Sequence, residues 1–238
     1  MNAARALRKA MIASACAMLI DAGAAQPTGA QVQAPAAEPR TLVILGASYA
    51  MGWGSPALPG FDRVINRGGG GDETGGMVAR FATDVAAARP QAVLIWGHVN
   101  NITRARPEKI EDAKKAAREH YADMLRQARA AGIEPIFATE IPWTEPGGVL
   151  NTLYGWYAAI MGKTSYATRV SAHVHEVNEY LKSLCQREKC RVLDFEAAFA
   201  TDGGTRKPEY AAEDGSHISQ AGYGALTAYA TRELRRAR

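Results

Sequence analysis

The apolar positions of the chain fall into two kinds of run. Short apolar runs with β-branched residues, typical of buried parallel strands, lie at residues 41–45, 61–66, 91–96, 133–138 and 191–195. Longer segments with an apolar residue every three or four positions, typical of amphipathic helices, cover residues 75–88, 107–131, 164–184 and 219–235. Strands that alternate with helices favour a parallel sheet covered on both faces. The pattern therefore predicts an α/β protein, a three-layer α/β/α sandwich around a five-stranded parallel sheet.

The first residues do not follow this alternation. Three basic residues precede an apolar run at residues 10–20, and Ala22-Gly23-Ala24 then matches the small-residue site that signal peptidase accepts. The run is too short to span a membrane, so we predict a secretory signal peptide at residues 1–24. The alternative is an apolar first helix of the fold. The signal predicts a secreted or periplasmic protein.

The next segment, residues 25–40, is rich in glutamine, proline and alanine and predicts a disordered linker. Residues 41–238 then form the globular domain. With 238 residues and 47% hydrophobic composition, the chain is long enough for one sizeable core.

Charge gives little support for a nucleic-acid or membrane partner. The 28 basic and 24 acidic residues give a net charge of +4, and no five like charges are consecutive. We expect no nucleic-acid partner and no stable membrane insertion once the signal is removed. The oligomeric state is left open.

The cysteines add one expectation. Cys185 and Cys190 are separated by four residues, and in an oxidising compartment they can close a disulfide where a helix turns into a strand. Two free thiols are the alternative. No cysteine and histidine set has zinc-site spacing, so we predict no metal.

Candidate chemistry starts at Asp214-Gly215-Ser216-His217, where an acid precedes a histidine by three residues. A carboxylate that fixes the histidine tautomer makes the imidazole a general base. A general base needs a nucleophile, and the candidate is Ser48, which follows the first strand. In parallel α/β sheets, ligands bind beyond the carboxyl ends of the strands. We therefore predict that Ser48, Asp214 and His217 meet there as a triad.

Two further features lie at the same edge. Gly71 ends a run of four glycines after the second strand, and Asn100 follows the third strand. Together with the backbone N–H of Ser48, the Gly71 N–H and the Asn100 amide can stabilise an oxyanion. We expect glycine at position 71 because a side chain there would crowd the reacting carbonyl.

These motifs resemble the SGNH hydrolases, the GDSL-type esterase and lipase family. Four blocks occur in the family order: Gly46-Ala47-Ser48-Tyr49-Ala50-Met51-Gly52, Asn66-Arg67-Gly68-Gly69-Gly70-Gly71-Asp72, Gly97-His98-Val99-Asn100-Asn101 and Asp214-Gly215-Ser216-His217. The resemblance implies a flavodoxin-like fold and a serine esterase that works through an acyl-enzyme without a cofactor. It also implies a small-molecule, glycan or lipid ester as substrate.

Two positions depart from the family pattern, because Ala47 and Asn101 stand where the family has aspartate. The departures keep open a non-catalytic carbohydrate- or lipid-binding domain of the same fold. A second alternative is an O-acetyltransferase or deacetylase that uses the same triad on a cell-envelope polysaccharide.

Substrate contacts are expected from a histidine and an aromatic segment. His98 precedes the predicted oxyanion asparagine by two residues, although a solvent-facing loop histidine fits equally well. The long connection at residues 141–163 contains Trp143, Tyr154 and Trp156, which could form an apolar wall over the site. The alternative is an extra helix packed on the core.

Overall fold

A computed structural model of the chain describes residues 39–144 and 164–236. The predicted signal peptide, all but the end of the predicted linker, and the aromatic residues Tyr154 and Trp156 lie outside the described residues. Within those ranges, five parallel strands form one sheet in the order β2-β1-β3-β4-β5. The strands are β1 (Thr41–Gly46), β2 (Arg63–Gly68), β3 (Ala92–Trp96), β4 (Glu134–Ala138) and β5 (Arg191–Leu193). The prediction of a five-stranded parallel sheet is confirmed.

The described helices lie between or after the strands. They are α1 (Ser48–Trp53), α2 (Thr74–Ala79), α3 (Phe81–Asp84), α4 (Val99–Arg104), α5 (Ile110–Ala130), α6 (Tyr166–Glu188), α7 (Phe195–Phe199) and α8 (Gln220–Arg236). Three short helices, α1, α4 and α7, were not predicted, and the first two carry the serine and asparagine of the candidate site. The strand predicted at residues 191–195 ends at Leu193, because Asp194 caps α7. The helix predicted at residues 75–88 is interrupted at Arg80, whose backbone is not helical (φ −100°, ψ 5°). The Arg80 side chain donates to Asp72 and to the Arg67 carbonyl oxygen.

The helices cover both faces of the sheet. On one face α2, α4, α5 and α6 pack together. On the other face, α1, α7 and α8 meet through aromatic rings, with Phe195 5.8 Å from Trp53 and 6.0 Å from Tyr229 between ring centroids. Trp96 at the end of β3 packs against Phe195 at 5.2 Å. The three-layer α/β/α prediction is confirmed.

The helix periodicity matches the observed core. In α6 the predicted apolar face is buried in full, as Val170, Val174, Val177, Leu181 and Leu184. In α5 the buried face begins later than predicted, because Ile110 lies at the first turn and is only partly buried. Each fully buried aliphatic side chain contributes about 1.5–3 kcal/mol, so these faces fix both helices on the sheet.

A disulfide joins Cys185 near the end of α6 to Cys190 just before β5, with a Cα–Cα distance of 4.6 Å. It closes the turn in which Lys189 adopts a left-handed backbone, at φ 54°. This turn precedes β5, so it lies at the N-terminal ends of the parallel strands. The candidate site lies at their C-terminal ends.

None of the helices in the described ranges is long and apolar enough to cross a membrane.

Candidate active site

The candidate nucleophile is the first residue of α1. Ser48 follows β1 through Gly46 and Ala47, and β1 pairs with β2 on one side and β3 on the other. A Cβ at Gly46 would lie 2.3 Å from the Trp96 carbonyl oxygen, so only glycine lets the chain leave the sheet this close to β3. The strand end therefore fixes where Ser48 stands.

Ala47, the first departure from the family pattern, is 4% exposed. Its Cβ lies 3.3 Å from the place where a Cβ on Gly97 would be, in the turn that leads to Asn100. A carboxylate in this space would be buried against backbone, which is costly without partners. The methyl group of Ala47 is buried there, and α1 begins at Ser48 without the aspartate.

The Asp214–His217 pair has the geometry of an oriented base. His217 Nδ1 lies 2.5 Å from Asp214 Oδ2, and Asp214 Oδ1 accepts the backbone N–H groups of Ser216 at 2.9 Å and His217 at 2.8 Å. These hydrogen bonds, first that from the His217 backbone, hold the pKa of Asp214 well below its usual range. An ionised Asp214 keeps the proton on Nδ1 and leaves Nε2 as the basic nitrogen.

The histidine lies beside the start of α1. The His217 ring packs edge-on against the ring of Tyr49, the residue after Ser48, with centroids 6.3 Å apart. Both side chains of the pair are about half exposed, at 51% for His217 and 52% for Asp214. The base is therefore open to solvent and close to the helix turn that carries the serine.

The glycine loop carries Gly71, the second predicted oxyanion group. Gly71 has φ +72°, a backbone conformation that favours glycine. A Cβ on Gly71 would also lie 2.5 Å from Arg104 Nη2 at the end of α4. The backbone angle is thus a reason for glycine here, whereas the exposed end of Arg104 can move aside. Crowding of the reacting carbonyl stays a prediction.

Asn100, in the first turn of α4, is held to the same loop. Its Nδ2 donates to the Asp72 carbonyl oxygen at 2.7 Å, directly after Gly71. A side-chain amide carries two N–H groups, and this hydrogen bond uses one of them. The hydrogen bond fixes the amide plane relative to Gly71.

Arg80 supports this loop from behind. Its Nε donates to Asp72 Oδ2 at 2.8 Å and its Nη2 donates to the Gly46 carbonyl oxygen at 2.9 Å. Its Nη1 donates to Asp84 Oδ2 at 2.6 Å. One side chain thus links the glycine loop to the strand end that precedes Ser48, an arrangement that the sequence pattern did not predict.

Asn101, the second departure from the family pattern, is 6% exposed and accepts the backbone N–H of Thr74 through Oδ1 at 3.1 Å. An amide oxygen accepts this hydrogen bond as a carboxylate would, without burying a charge. The substitution therefore leaves the junction of α2 and α4 intact.

His98 does not lie where it was expected. The side chain is 1% exposed; its Nδ1 lies 2.9 Å from the Tyr121 hydroxyl and its Nε2 lies 3.3 Å from the Val174 carbonyl oxygen. A carbonyl only accepts, so Nε2 carries the proton and Nδ1 accepts from Tyr121. Burial lowers the pKa of His98 to about 4. The prediction that His98 contacts substrate is wrong, because its side chain lies in the core below Asn100.

Trp143 is half-buried and packs against Tyr166, with ring centroids 5.6 Å apart. Tyr166 is 55% exposed. The backbone N–H of Trp143 donates to Ser171 Oγ at 2.9 Å, which ties the chain after β4 to α6. These aromatic residues flank the segment that contains Tyr154 and Trp156, which lies outside the described residues. The aromatic wall stays a prediction.

Two clusters of described acidic and histidine side chains bring possible metal-ligand atoms within 4.8 Å of one another: Glu111, His173 and Glu176, and His175, Glu179 and Glu196. A lysine lies in each. Lys114 Nζ is 2.6 Å from a Glu111 oxygen, and Lys182 Nζ is 3.0 Å from a Glu179 oxygen. Because an ammonium already neutralises these carboxylates, we assign no metal to either cluster.

Three buried polar side chains beneath the site were missed: Tyr49, Glu140 and Arg206. Arg206 lies in the polar segment Gly203-Gly204-Thr205-Arg206-Lys207-Pro208, which is typical of a surface loop. These three residues are distinguished by their burial in the folded protein, and the sequence pattern does not predict that burial.

Comparison with solved structures agrees with this architecture. A GDSL-like lipase from Bacteroides thetaiotaomicron superposes with a TM-score of 0.62 at 17% identity, over 84% of this chain and 89% of that chain. A variant of Axe2, an acetyl-xylooligosaccharide esterase from a Geobacillus species, gives 0.59 at 17% identity, over 82% and 94%. At this identity the likeness shows the fold.

Sequence comparison identifies the family. The curated lipoprotein YqeF of Bacillus subtilis is 31% identical over 91 residues, which cover 38% of this chain and 37% of that protein. This chain thus aligns with little more than a third of its relative's length. The GDSL-like lipase/acylhydrolase family matches residues 44–225, most of the chain. The chain therefore belongs to the GDSL-like lipase/acylhydrolase family.

Proposed function

We propose that the protein is a serine hydrolase of carboxylic esters, in which Ser48 is the nucleophile, His217 the general base and Asp214 the residue that orients it. The observation that carries the proposal is the Asp214–His217 pair, in which one carboxylate binds both the backbone N–H and Nδ1 of the histidine. This arrangement orients the imidazole so that Nε2 can accept a proton, as a general base must.

The reaction follows from these roles. His217 Nε2 takes the Ser48 proton as Oγ attacks the ester carbonyl carbon, and the carbonyl oxygen becomes an oxyanion. The backbone N–H groups of Ser48 and Gly71 and the free N–H of Asn100 stabilise that charge. His217 then gives its proton to the departing alcohol, which leaves an acyl-serine. Water, deprotonated by the same nitrogen, attacks the acyl-serine and releases the carboxylic acid and Ser48.

Hydrolysis is favoured over the two alternatives by separate observations. The half-exposed Asp214–His217 pair is open to water, the acceptor in hydrolysis. The motive for a non-catalytic binder was the loss of two family aspartates, and both replacements preserve their local packing or hydrogen bond. Acyl transfer to a sugar hydroxyl would use the same groups, and product analysis separates it from hydrolysis.

The test compares the purified protein with Ser48→Ala on p-nitrophenyl esters from acetyl to long acyl chains and on acetylated xylo-oligosaccharides. The sugar esters belong in the panel because an acetyl-xylooligosaccharide esterase shares the fold. We expect Ser48→Ala to reduce kcat by roughly 10⁶-fold, as in other serine hydrolases. Ser183→Ala, at a remote serine of α6, is the matched control and should retain full activity.

A fluorophosphonate probe provides an independent readout. Mass spectrometry should find the probe on Ser48 in the wild-type protein and in Ser183→Ala, and on no serine in Ser48→Ala. Full ester hydrolysis by Ser48→Ala, or labelling at another serine alone, would refute the mechanism. We also propose that residues 1–24 direct export, which N-terminal sequencing of the protein from the culture medium or periplasm would test.

A further inference from the structure

A buried arginine lies beneath the loop that carries the candidate base. Arg206 is 1% exposed, although it sits in a polar stretch of sequence. Its guanidinium donates to carbonyl and hydroxyl oxygens: His217 O at 2.6 Å, Ser216 O at 2.9 Å, Tyr49 Oη at 2.6 Å and Pro142 O at 2.9 Å. It also lies over the Tyr49 ring, 5.2 Å from the centroid. Burying a guanidinium is costly, so these bonds point to a positional role.

The loop itself explains what Arg206 adds. The hydrogen bonds of residues 212–217 are mostly internal: His217 O accepts from the Ala212 N–H at 2.9 Å, and Asp214 binds Ser216 and His217. Among the described residues, the hydrogen bonds that connect this loop to the rest of the protein come from Arg206 and Tyr49. The Asp214–His217 geometry is therefore set inside the loop, whereas the place of the loop relative to Ser48 is set by these two side chains.

Tyr49 makes the link to the nucleophile. Its hydroxyl donates to Ser216 O at 2.6 Å and accepts from Arg206, and the residue directly follows Ser48 in α1. Burial raises the pKa of Tyr49, so the hydroxyl keeps its proton and its role as donor. A further hydroxyl, that of Tyr223 in α8, donates to the Tyr49 carbonyl oxygen at 3.2 Å. The turn that carries Ser48 is thereby fixed to the loop through a phenol and a guanidinium.

Glu140 extends the arrangement to the oxyanion side. This carboxylate is 1% exposed, and its Oε2 accepts the backbone N–H groups of His98 at 2.8 Å and Val99 at 3.3 Å, at the start of α4. Asn178 of α6 holds the Glu140 backbone through both of its amide atoms, at 2.7 Å and 2.9 Å. Burial raises the pKa of Glu140, and these backbone N–H groups and the Arg206 charge oppose that rise. The buried Glu140 thus supports the start of α4, the helix that carries Asn100, and interacts electrostatically with Arg206.

We propose that Arg206 and Tyr49 act as positioning residues, which dock the Asp214–His217 loop so that His217 Nε2 reaches Ser48. The proposal rests on the proposed function, because Arg206 and Tyr49 do not contact substrate and act only by positioning the proposed base. Their effect on the reaction passes through His217 alone. Misplacement of a catalytic group by about 1 Å lowers turnover by roughly 100-fold, which sets the scale of the expected effect.

The first experiment uses Tyr49→Phe, which removes one hydroxyl and retains the ring. We expect kcat for p-nitrophenyl acetate to fall by roughly 10- to 100-fold with little change in KM, since the loop loses one of its two anchors. Tyr229→Phe is the matched control, because it removes a phenol hydroxyl from α8 away from the loop, and it should keep wild-type kcat and KM. Equal kcat in Tyr49→Phe and the wild-type protein would overturn the proposal.

The second experiment tests whether the effect passes through His217. Arg206→Lys retains the charge but cannot bind two carbonyl oxygens and a hydroxyl as a planar guanidinium does, so kcat should fall further than in Tyr49→Phe. In a His217→Ala background, Tyr49→Phe and Arg206→Lys should cause no additional loss of the residual activity, because the base that they position is absent. A purely structural role predicts the same additional loss in both backgrounds, and that result would overturn the proposal.

The controls separate this proposal from the proposed function. If Ser48→Ala retained wild-type activity, the serine mechanism and the positioning role would both fall. If activity depended on Ser48 but not on Tyr49 or Arg206, only the positioning role would fall. Should Arg206→Lys not fold, the pair Tyr49→Phe and Tyr49→Phe/His217→Ala gives the same comparison without changing a buried charge.

Discussion

The two sides of the candidate site are built in different ways. On the oxyanion side, Gly71 follows the edge strand β2 and Asn100 follows the central strand β3. Arg80 ties their loop to β1, because it pairs with Asp72 and donates to the Gly46 carbonyl oxygen. On the base side, Asp214 and His217 lie on a half-exposed loop, which Arg206 and Tyr49 bond to the rest of the described residues. The comparison shows that a parallel sheet positions the groups at its strand ends, whereas a base on a distant loop needs a separate anchor.

The two arginines that support these sides differ in the same way. Arg80 keeps 23% of its side chain exposed and pairs with two carboxylates, so its charge is neutralised locally. Arg206 is buried and donates to neutral oxygens. Its charge also acts on the buried carboxyl of Glu140, but a buried guanidinium N–H that loses its acceptor is costly, so its bonds to the loop are expensive to lose. Each arginine makes four side-chain hydrogen bonds to described residues, so the two sides differ in how costly each bond is to lose.

Breaking the Asp214–His217 pair should reduce activity more than any change on the oxyanion side. Asp214→Asn retains an acceptor for the backbone N–H groups but favours the wrong imidazole tautomer, so we expect kcat to fall by roughly 10⁴-fold. The urea midpoint should change little because the loop is exposed. Steady-state kinetics and urea unfolding of the same preparation test this; an equal loss of stability would mean that the pair holds the fold.

The oxyanion side should be less sensitive. Asn100→Ala removes one donor, and we expect kcat to fall by roughly 10²–10³-fold with KM nearly unchanged. Its control is the neighbouring Asn101→Asp, which restores the family residue and keeps an acceptor for Thr74. That variant should stay within about threefold of wild type, since the donor at Asn100 is untouched. Comparable losses in both variants would contradict the assignment of Asn100 to the oxyanion.

Acid should lower the free energy of unfolding through His98, which is next to the oxyanion side in sequence. Burial lowers the pKa of His98 to about 4, while the unfolded chain binds a proton near pH 6.5, so the unfolded state holds more protons between these values. The free energy of unfolding should therefore fall as pH drops from 6.5 to 4, by roughly 3 kcal/mol from this group. Urea unfolding across this range, compared between wild type and His98→Gln, isolates the effect.

The comparison of the two proteins isolates the contribution of His98. The raised pKa of Glu140 acts in the opposite direction, but it is present in both proteins and cancels in the difference. A His98→Gln variant with the same slope of stability against pH as wild type would show that His98 is not the group responsible.

The disulfide should have the smallest effect on activity because it lies at the opposite edge of the sheet. Its cysteines are separated by 5 positions, and closing so short a loop stabilises the fold by about 2 kcal/mol in the chain-entropy model. A Cys185→Ser/Cys190→Ser double variant should therefore unfold at lower urea concentration with unchanged kcat and KM at 25 °C. A change in kcat would indicate that both edges of the sheet are coupled.

Sequence reasoning succeeded where local pattern decides structure. Buried runs such as residues 91–96 are strands because apolar residues on both faces suit a covered parallel sheet, and strand ends place Ser48 and Asn100 at one edge. It failed where tertiary burial decides. His98 is close to Asn100 in sequence, yet its side chain points into the core, where Tyr121 and Val174 bind it. The polar sequence around Arg206 likewise indicates a solvated loop, although its side chain is buried.

The small side chain at position 47 has a wider consequence. Because Ala47 is buried at the start of α1, close to Gly97, this fold forms without the acid that gives the family its four-letter signature. A survey that selects esterases by that tetrapeptide would pass over chains like this one. The spacing of glycine, serine and asparagine around the strand ends is a better criterion for finding such chains.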